Sequence, residues 1–484
     1  MSNPDRLSGL DASFLALEEG GAHMHVGSCM VFEGSPPAPE ALVGHIERRL
    51  HLVPRYRQKL AFVPFDQARP VWVDDPHFTP SYHIRHTALP APGGELELEA
   101  LAGRVFATAL DRAKPLWEIW LVEGLQGDRF ALLNKAHHCL VDGISGVDIT
   151  TVLFDLSPEG SELPSPARPW LPRPVPGGAK LLADAMAERA GLPLELIHGV
   201  AGAVAAPAAV LEGVARAAGG LGAMARAGLS PAPPSPFNVA IGPHRRFTWV
   251  RGDLAVFKAT KDALGGTVND VVLAAVSGAL GGYLRAHGHD TTGLELKAMV
   301  PVSVRAETER GALGNRVTTM YAPLPVDERD PVRRMALVSA AMAGLKESGQ
   351  AVGAEVLTRL TGFAPPTVMA QAARLQGHQR FFNLTVTNVP GPQFSLFLLG
   401  RRLDAIYPQV PLARNTALGI AIMSYDGQLN FGLLSDYDAL DDLHALSAAL
   451  RAAIDELVAA AGVGAPAARR NGRTPRRVTQ GASL

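Results

Sequence analysis

The chain has 484 residues, of which 47% are hydrophobic and 19% charged, and its formal net charge is −1. This length argues for two domains with ample core, and the balanced charge without a basic stripe excludes an electrostatic nucleic-acid binder. The two cysteines, Cys29 and Cys139, are too few for a disulfide framework. No signal peptide is recognised at the start, so we expect a protein of the reducing cytoplasm.

The first part of the chain is predicted to mix strands and helices, because some apolar runs alternate and others recur at helical spacing. Two apolar runs separated by the tripeptide Gln-Gly-Asp predict a hairpin that leads into a histidine pair. The predicted elements are, in chain order, a strand over Met24–Gly34, a helix over Pro39–Leu50, and hairpin strands over Pro115–Leu125 and Arg129–His138.

Proline marks the middle of the chain as a connector. The segment Ser157–Pro176 is so rich in proline that we predict a stiff, extended conformation. An Ala- and Gly-rich helical stretch follows, roughly Gly178–Gly228, and the proline cluster Ser230–Phe237 closes it. Within it, Leu196–Leu211 comes nearest to a membrane span, but it is too short and interrupted, so no span is predicted.

The second half again mixes helices and apolar runs that are typical of strands. Its predicted elements are a helix over Val268–Ala286, strands over Leu294–Val304 and Phe381–Gly391, a hairpin within Leu418–Asp436 that turns at Asp426 and Gly427, and a helix from Asp441 to about Ala461. The arginine-rich tail is predicted to be a solvated, disordered end, with contact to anionic lipid as the alternative.

These patterns divide the chain into four parts. We predict an N-terminal domain over 1–158, a Pro-rich and Ala/Gly-rich helical crossover over 159–240, a C-terminal domain over 241–462 and a basic tail over 463–484.

The stretch Lys135–Ser145, KAHHCLVDGIS, places His137 and His138 between a predicted strand and a predicted helix over Ile144–Leu153. Such a pair is either packed scaffold or a proton-transfer site. Because neighbouring side chains on a strand point to opposite faces, only one ring can serve a site directly while the other supports it. The same geometry argues against a metal site built from both.

General base catalysis is the chemistry that fits this pattern, since a neutral imidazole can take a proton from a hydroxyl and return it to a leaving group. Asp142 is placed to orient an imidazole or to pair with an arginine, and Gly143 gives the turn backbone freedom. No Gly-x-Ser-x-Gly nucleophile motif is present there. Cys139 is predicted to be a buried thiol on the face opposite His138, so direct transfer without a covalent enzyme intermediate is favoured.

The motif HHCLVDG resembles the HHxxxDG signature of acyl-CoA-dependent acyltransferases with the chloramphenicol-acetyltransferase-like fold. Further elements narrow the resemblance to bacterial wax ester synthase/diacylglycerol acyltransferases. They are, in order, LSGLDASFLALEEGGAHMHVGS, PLWEIWLVEGL, TVNDVVLAAVSGAL, MVPVSVR, LGNRVTTMYAPLPV and NVPGP. The resemblance covers nearly the whole chain and implies an α/β (α+β) fold. Two domains, each a mixed sheet with flanking helices, would enclose an active-site tunnel between them.

The resemblance also implies roles for the residues of the histidine motif. His138 would be the general base toward the acceptor hydroxyl, and His137 would support it. Asp142 would be structural, with Arg305 suggested as its salt-bridge partner from the second domain.

Further roles are implied outside that motif. Asn269 would lie near the reacting thioester, and Asp270 would hold the start of its helix, although a plain helix cap explains this pair equally well. Pro115, Leu116 and Trp117 would form scaffold at the channel wall, with an ordinary core tryptophan as the alternative. Either Asn269 or a backbone N–H after the histidines could stabilise the oxyanion.

The implied activity is acyl transfer from acyl-CoA, as substrate, to diacylglycerol or a long-chain alcohol, giving triacylglycerol or wax esters. No cofactor, metal or nucleic acid is expected. The preference for arginine over lysine is typical of GC-rich, triacylglycerol-storing bacteria and favours diacylglycerol. We expect a cytoplasmic protein in peripheral contact with the membrane or with lipid inclusions. The alternatives are a related acyltransferase that uses a carrier-protein thioester, and a non-catalytic lipid-granule protein.

Overall fold

The computed structural model describes residues 5–18, 20–141, 153–160, 169–188, 231–303, 317–347 and 381–464. The first half contains α1 (Gly9–Leu17), β1 (His25–Glu33), α2 (Pro39–Arg49), β2 (Gln58–Ala61), β3 (Val71–Asp74), α3 (Pro80–His83), β4 (Ile84–Ala88), α4 (Glu95–Ala107), β5 (Trp117–Leu125), β6 (Arg129–His137) and α5 (His138–Val141).

The helix α6 covers residues 178–188. The second half contains β7 (Arg245–Asp253), α7 (Leu254–Leu264), α8 (Val268–Ala286), β8 (Glu295–Ser303), β9 (Val317–Pro325), α9 (Pro331–Glu347), β10 (Leu384–Pro390), β11 (Phe397–Leu398), β12 (Arg401–Gln409), β13 (Leu418–Tyr425), β14 (Gln428–Asp436) and α10 (Leu443–Ala460).

The first sheet has six strands in the order β11-β12-β1-β6-β5-β4, all antiparallel neighbours except the parallel pair β4 and β5. The predicted hairpin is confirmed as β5 and β6, and its turn places Gly127 and Asp128 at φ 82° and 50°. β1 pairs with the whole of β6, and its first residue, His25, lies opposite His137. The end of β6 is therefore held between two strands.

The second sheet also has six strands, in the order β7-β14-β13-β10-β8-β9. The predicted hairpin of β13 and β14 is confirmed, and Asp426 and Gly427 adopt φ 43° and 78°, the left-handed conformations that a two-residue hairpin turn requires. Helix α8 has the predicted bounds and is buried on nearly every face. It packs with α9 and α10 on this sheet, and the mixed sheets with helices confirm the predicted fold class.

The first sheet contains two strands from the second half of the chain, which the sequence pattern does not predict. β11 and β12 come from the second half, yet β12 pairs antiparallel with β1 in the first sheet. The core around them also joins the halves, since Phe106 packs edge-on against Phe247. Nearby, Trp249 of β7 stacks on Tyr407 of β12. The boundaries at 158 and 241 stay a prediction, but residues 397–409 belong to the first sheet.

Several predictions fall on parts of the chain that are not described. These are the helix predicted over Ile144–Leu153 apart from its last residue, residues 161–168 of the proline-rich connector, the Ala-rich stretch beyond residue 188, residue 304 at the end of a predicted strand, and the tail from residue 465. Among the described helices, none alone has the length and apolar composition to cross a membrane. The adjacent pair α7 and α8, bent by 94°, passes that test together on length and composition only.

Candidate active site

The two adjacent histidines lie where the central strand β6 ends and the short helix α5 begins. His137 is the last strand residue and is 1% exposed, whereas His138 begins the helix and is half-buried. The two rings contact different partners. His137 is thus the inward ring, and His138 is the one that a substrate can reach more readily.

The backbone around the pair is fixed at three consecutive N–H groups. The N–H of His137 donates to the carbonyl of Leu116 over 2.9 Å, and that of His138 donates to the carbonyl of Met24 over 2.8 Å. The N–H of Cys139 donates to Nδ1 of His137 over 3.1 Å. Each of these three donors already has an acceptor, so the turn is rigid.

The ring of His137 has a hydrogen bond at Nδ1 and a carboxylate close to Nε2. Nδ1 accepts the Cys139 N–H and lies 2.9 Å from Cys139 Sγ. Burial raises the pKa of the Cys139 thiol well above its usual range, so the sulfur keeps its proton. We therefore assign the ring proton to Nε2, which lies 3.3 Å from Oε1 of Glu18.

Glu18 is surrounded by donors. Its Oε1 accepts the N–H of Met24 over 2.7 Å, and its Oε2 accepts from Nε and Nη2 of Arg112 over 3.2 and 2.5 Å. Burial alone would raise the pKa of Glu18, but the contacts with His137, Arg112 and Met24 outweigh it and lower the pKa to about 2. The carboxylate stays charged beside the ring of His137 at any ordinary pH.

The ring of His138 is covered on one face by Phe14 of α1. The two ring centroids are 3.9 Å apart and the planes are inclined by 24°, which is a stacked pair. An aromatic ring on one side limits the rotation of the imidazole and shields that face from water.

The tripeptide Pro115, Leu116 and Trp117 is buried and braces the histidine turn. The Leu116 carbonyl accepts the N–H of His137, and the Trp117 indole donates to the carbonyl of Tyr56 over 2.8 Å. Trp117 also stacks on His83 with centroids 4.5 Å apart. These contacts are those of scaffold, and a place at a channel wall stays a prediction.

Asn269 and Asp270 lie at the start of α8, and their side chains have different hydrogen-bond partners. Thr267 is the N-cap, and it forms a capping box with Asp270, whose Oδ2 accepts the Thr267 N–H over 2.8 Å. Asn269 is half-buried and outside that capping box. Its Oδ1 accepts from Nδ2 of Asn388, in the NVPGP element on β10, over 3.4 Å. The helix-cap interpretation therefore applies to Asp270, while the amide of Asn269 is oriented by a second asparagine.

Three predicted site residues, Asp142, Gly143 and Arg305, lie outside the described residues, so their roles stay predictions. The structure brings His137 and His138 together with residues from α1 and from the start of β5. In the part of the chain that the structure describes, no group of three or more His, Cys, Asp and Glu residues is placed to hold a metal ion.

Comparison with known families decides the kind of protein. The model of the wax ester synthase/diacylglycerol acyltransferase catalytic domain matches residues 7–272, and that of the WS/DGAT C-terminal domain matches residues 313–458. The chain belongs to the wax ester synthase/diacylglycerol acyltransferase family. The resemblance of the HHCLVDG motif and its companion elements is thereby confirmed.

Individual members of the family match over almost their whole length. A Mycobacterium tuberculosis protein, tgs1, described as a diacylglycerol O-acyltransferase, is 34% identical over 459 residues, which cover 94% of this chain and 96% of that protein. The solved wax ester synthase/diacylglycerol acyltransferase from Marinobacter aquaeolei VT8 matches with a TM-score of 0.64 and 27% identity, over 94% of this chain and 100% of that one.

A more distant match shows the fold alone. The first condensation domain of the calcium-dependent antibiotic synthetase has a TM-score of 0.55 and 18% identity, over 94% of this chain and 96% of that domain. The two-sheet architecture is therefore shared with enzymes outside the family, as the predicted fold class implied.

Sequence reasoning missed Phe14, Glu18, Arg112 and Asn388. The N-terminal element was recognised as a block, without a role for any of its residues. One signal was available, because Phe14 and Glu18 are four residues apart at the spacing that places side chains on one helical face. Nothing local to Arg112 indicates that its partner lies in the first helix.

Proposed function

We propose that this chain transfers an acyl group from acyl-CoA to the free hydroxyl of diacylglycerol, and that it also accepts long-chain alcohols. Support comes from its family and from a full-length relative described as a diacylglycerol O-acyltransferase. The observation that carries the mechanism is the ring of His138, half-buried at a strand-to-helix turn where the N–H groups of residues 137 to 139 each have an acceptor.

The chemistry that we propose needs one proton carrier. The imidazole of His138 takes the proton of the acceptor hydroxyl while the oxygen attacks the thioester carbonyl, and a C–O bond forms. The tetrahedral intermediate then collapses, the C–S bond breaks, and the imidazolium returns the proton to the sulfur of coenzyme A. No acyl-enzyme is required.

We further propose that the oxyanion is stabilised by the side-chain amide of Asn269. Of the backbone N–H groups after the histidines, the first, that of Cys139, already donates to the ring of His137. The Oδ1 of Asn269 accepts from Asn388, and the NH₂ group on the same amide would be the donor to the oxyanion. Asn388 would then orient the donor.

We propose peripheral contact with a lipid surface, where diacylglycerol resides. Phe62 and Phe65, between β2 and β3, are 48% and 83% exposed, and Phe65 adopts φ 59°, which is uncommon for a bulky residue. Co-sedimentation with vesicles of phosphatidylcholine and diacylglycerol should fall when Phe65 is replaced by serine. Unchanged co-sedimentation would show that this loop does not contact the lipid surface.

The activity is tested with purified protein and labelled palmitoyl-CoA, offered dipalmitoylglycerol or hexadecanol separately, with the products resolved by thin-layer chromatography. His138→Ala should lower the rate by about 10²- to 10⁴-fold, the usual contribution of a general base. His289→Ala, which removes an exposed ring after α8, is the matched control and should keep the wild-type rate. Ester formation that persists in His138→Ala would refute the assignment of the base.

The same assay separates the rival acyltransferase. Turnover with acyl-CoA and no carrier protein supports the proposal. If wild-type protein forms ester only from a carrier-bound thioester, the donor has been assigned wrongly.

A further inference from the structure

The end of helix α1 faces both histidines. The helix begins after Ser8, whose hydroxyl accepts the N–H of Asp11, and it ends before Glu18. Phe14 and Glu18 are one turn apart, so both side chains can project toward α5, against which α1 packs. Phe14 stacks on the ring of His138, and Glu18 contacts the ring of His137.

Two separate routes connect the Glu18 carboxylate to the backbone that presents His138. In the first, Oε1 faces Nε2 of His137, whose Nδ1 accepts the N–H of Cys139. In the second, Oε1 accepts the N–H of Met24, whose carbonyl accepts the N–H of His138 itself. One oxygen atom therefore fixes the peptide groups on both sides of His138.

The carboxylate is itself held firmly. Both Nε and Nη2 of Arg112 donate to Oε2, and Nη2 also donates to the carbonyl of Leu15, which ties the arginine to α1. The side chain of Glu18 is 14% exposed. A charged group that is this well satisfied and largely buried keeps one geometry, as a positioning element must.

A nucleophilic role for the same cluster is excluded by burial. Cys139, His137 and Glu18 follow one another in the order of a Cys–His–acid triad. However, Cys139 is 1% exposed, and no substrate carbonyl can reach its sulfur. Its contact with Nδ1 fixes the ring and does not activate the thiol.

We propose that Glu18 is a positioning residue for acyl transfer, which acts through His137 and Met24 to hold the turn that presents the His138 base, while Phe14 holds the ring. This rests on the proposed function only in taking His138 as the base. Glu18 does not touch substrate, so it should affect the chemical step and leave binding of acyl-CoA nearly unchanged.

The test compares Glu18→Ala and Glu18→Gln with Glu99→Gln, which changes another largely buried glutamate, on helix α4, whose hydrogen bond comes from Thr248. Glu18→Ala should lower kcat by about 10- to 100-fold, the usual cost of removing a group that orients a functional histidine, with KM for acyl-CoA within about twofold. Glu18→Gln keeps an acceptor oxygen and should lose less. Glu99→Gln should keep the wild-type kcat.

A double-mutant cycle with His137→Asn distinguishes positioning from general weakening of the fold. The asparagine Oδ1 can still accept the N–H of Cys139, but it cannot reach Glu18. Glu18→Ala should therefore cost less kcat in the His137→Asn background than in the wild type. Fully additive losses, or a loss confined to KM, would overturn the proposal.

Hydrogen–deuterium exchange of the peptide that covers His137 to Leu140 gives a readout without substrate. Exchange should be faster in Glu18→Ala and unchanged in Glu99→Gln, with a cooperative melting transition well above the assay temperature showing that each variant is folded. If Glu18→Ala fails to fold, the same exchange and kcat measurements are made on Glu18→Gln. If the wild type makes no ester but exchange responds as expected, Glu18 still holds the histidine turn, and it is the proposed function that fails. Unchanged exchange and kcat in the Glu18 variants would refute the positioning role.

Discussion

Two largely buried glutamates in the first half respond to burial in opposite directions. The pKa of Glu18, beside the histidines, is lowered to about 2, whereas that of Glu99, on α4 between the two halves, is raised to about 7. Their side chains are 14% and 10% exposed, so loss of water is similar for both. The difference must come from the groups around them.

Glu18 accepts hydrogen bonds from an arginine and a backbone amide, and its Oε1 lies 3.3 Å from an imidazole nitrogen. Within the described residues, Glu99 accepts one hydrogen bond, from Oγ1 of Thr248 over 2.6 Å, and the negative charge of Glu95 opposes its ionisation. His444 lies 3.4 Å away, but its ring is 59% exposed and solvent screens the contact. Hydrogen-bond donors surround Glu18, which keeps its charge beside the histidines. Glu99 has fewer donors, and its pKa lies near neutral pH.

The largest expected effect is the loss of stability when Glu18 becomes glutamine. An ordinary glutamate titrates at 4.5 in the unfolded chain and Glu18 at about 2 in the folded one. Its charge therefore stabilises the fold fully above pH 4.5, and this contribution disappears as the pH falls toward 2. We expect Glu18→Gln to lower the free energy of unfolding at pH 7 by about 2–3 kcal/mol, measured by urea denaturation.

The pH series provides the control for that prediction. The difference between wild type and Glu18→Gln should shrink steadily between pH 4.5 and pH 3, because the wild type loses the advantage that the variant never had. A constant difference over that range would mean that shape, and not charge, accounts for the effect.

The local sequence pattern predicted most of the fold, because apolar residues recur every second position in a strand and every three to four positions in a helix. The bounds of α8 and both hairpin turns follow from such signals. The insertion of β12 into the first sheet could not be predicted in the same way. In the antiparallel pairing of β12 with β1, Gly27 lies opposite Gln409. The periodicity within a strand does not indicate which other strand it pairs with.

The residues of the candidate site likewise fall into those that neighbouring residues reveal and those that depend on distant partners. The histidine pair was recognisable because its residues are adjacent, and Asp270 because its capping partner is three residues away. Glu18 is one of two consecutive glutamates before two glycines, a pattern typical of an exposed helix end. Its contacts with Arg112 and His137 form only on folding, so apart from its spacing from Phe14 no local pattern indicates its partners.

The smaller expected effect has the opposite sign and concerns Glu99. Its pKa of about 7 means that between pH 4.5 and 7 the folded chain holds a proton that the unfolded chain has released. Wild-type stability therefore falls as the pH rises through that range. Glu99→Gln removes the cost of a buried charge and keeps an oxygen for Thr248. We expect it to raise the free energy of unfolding at pH 8 by about 1–2 kcal/mol, measured by urea denaturation.

The pH dependence again distinguishes the causes. At pH 4 both forms carry no charge at this position, so Glu99→Gln should match the wild type there and gain its advantage only as the pH rises. If glutamine destabilises at pH 8, as it does at position 18, then donors around Glu99 satisfy its charge after all. Both carboxylates would then be stabilised by their surroundings, and donors would not be concentrated at the histidine turn.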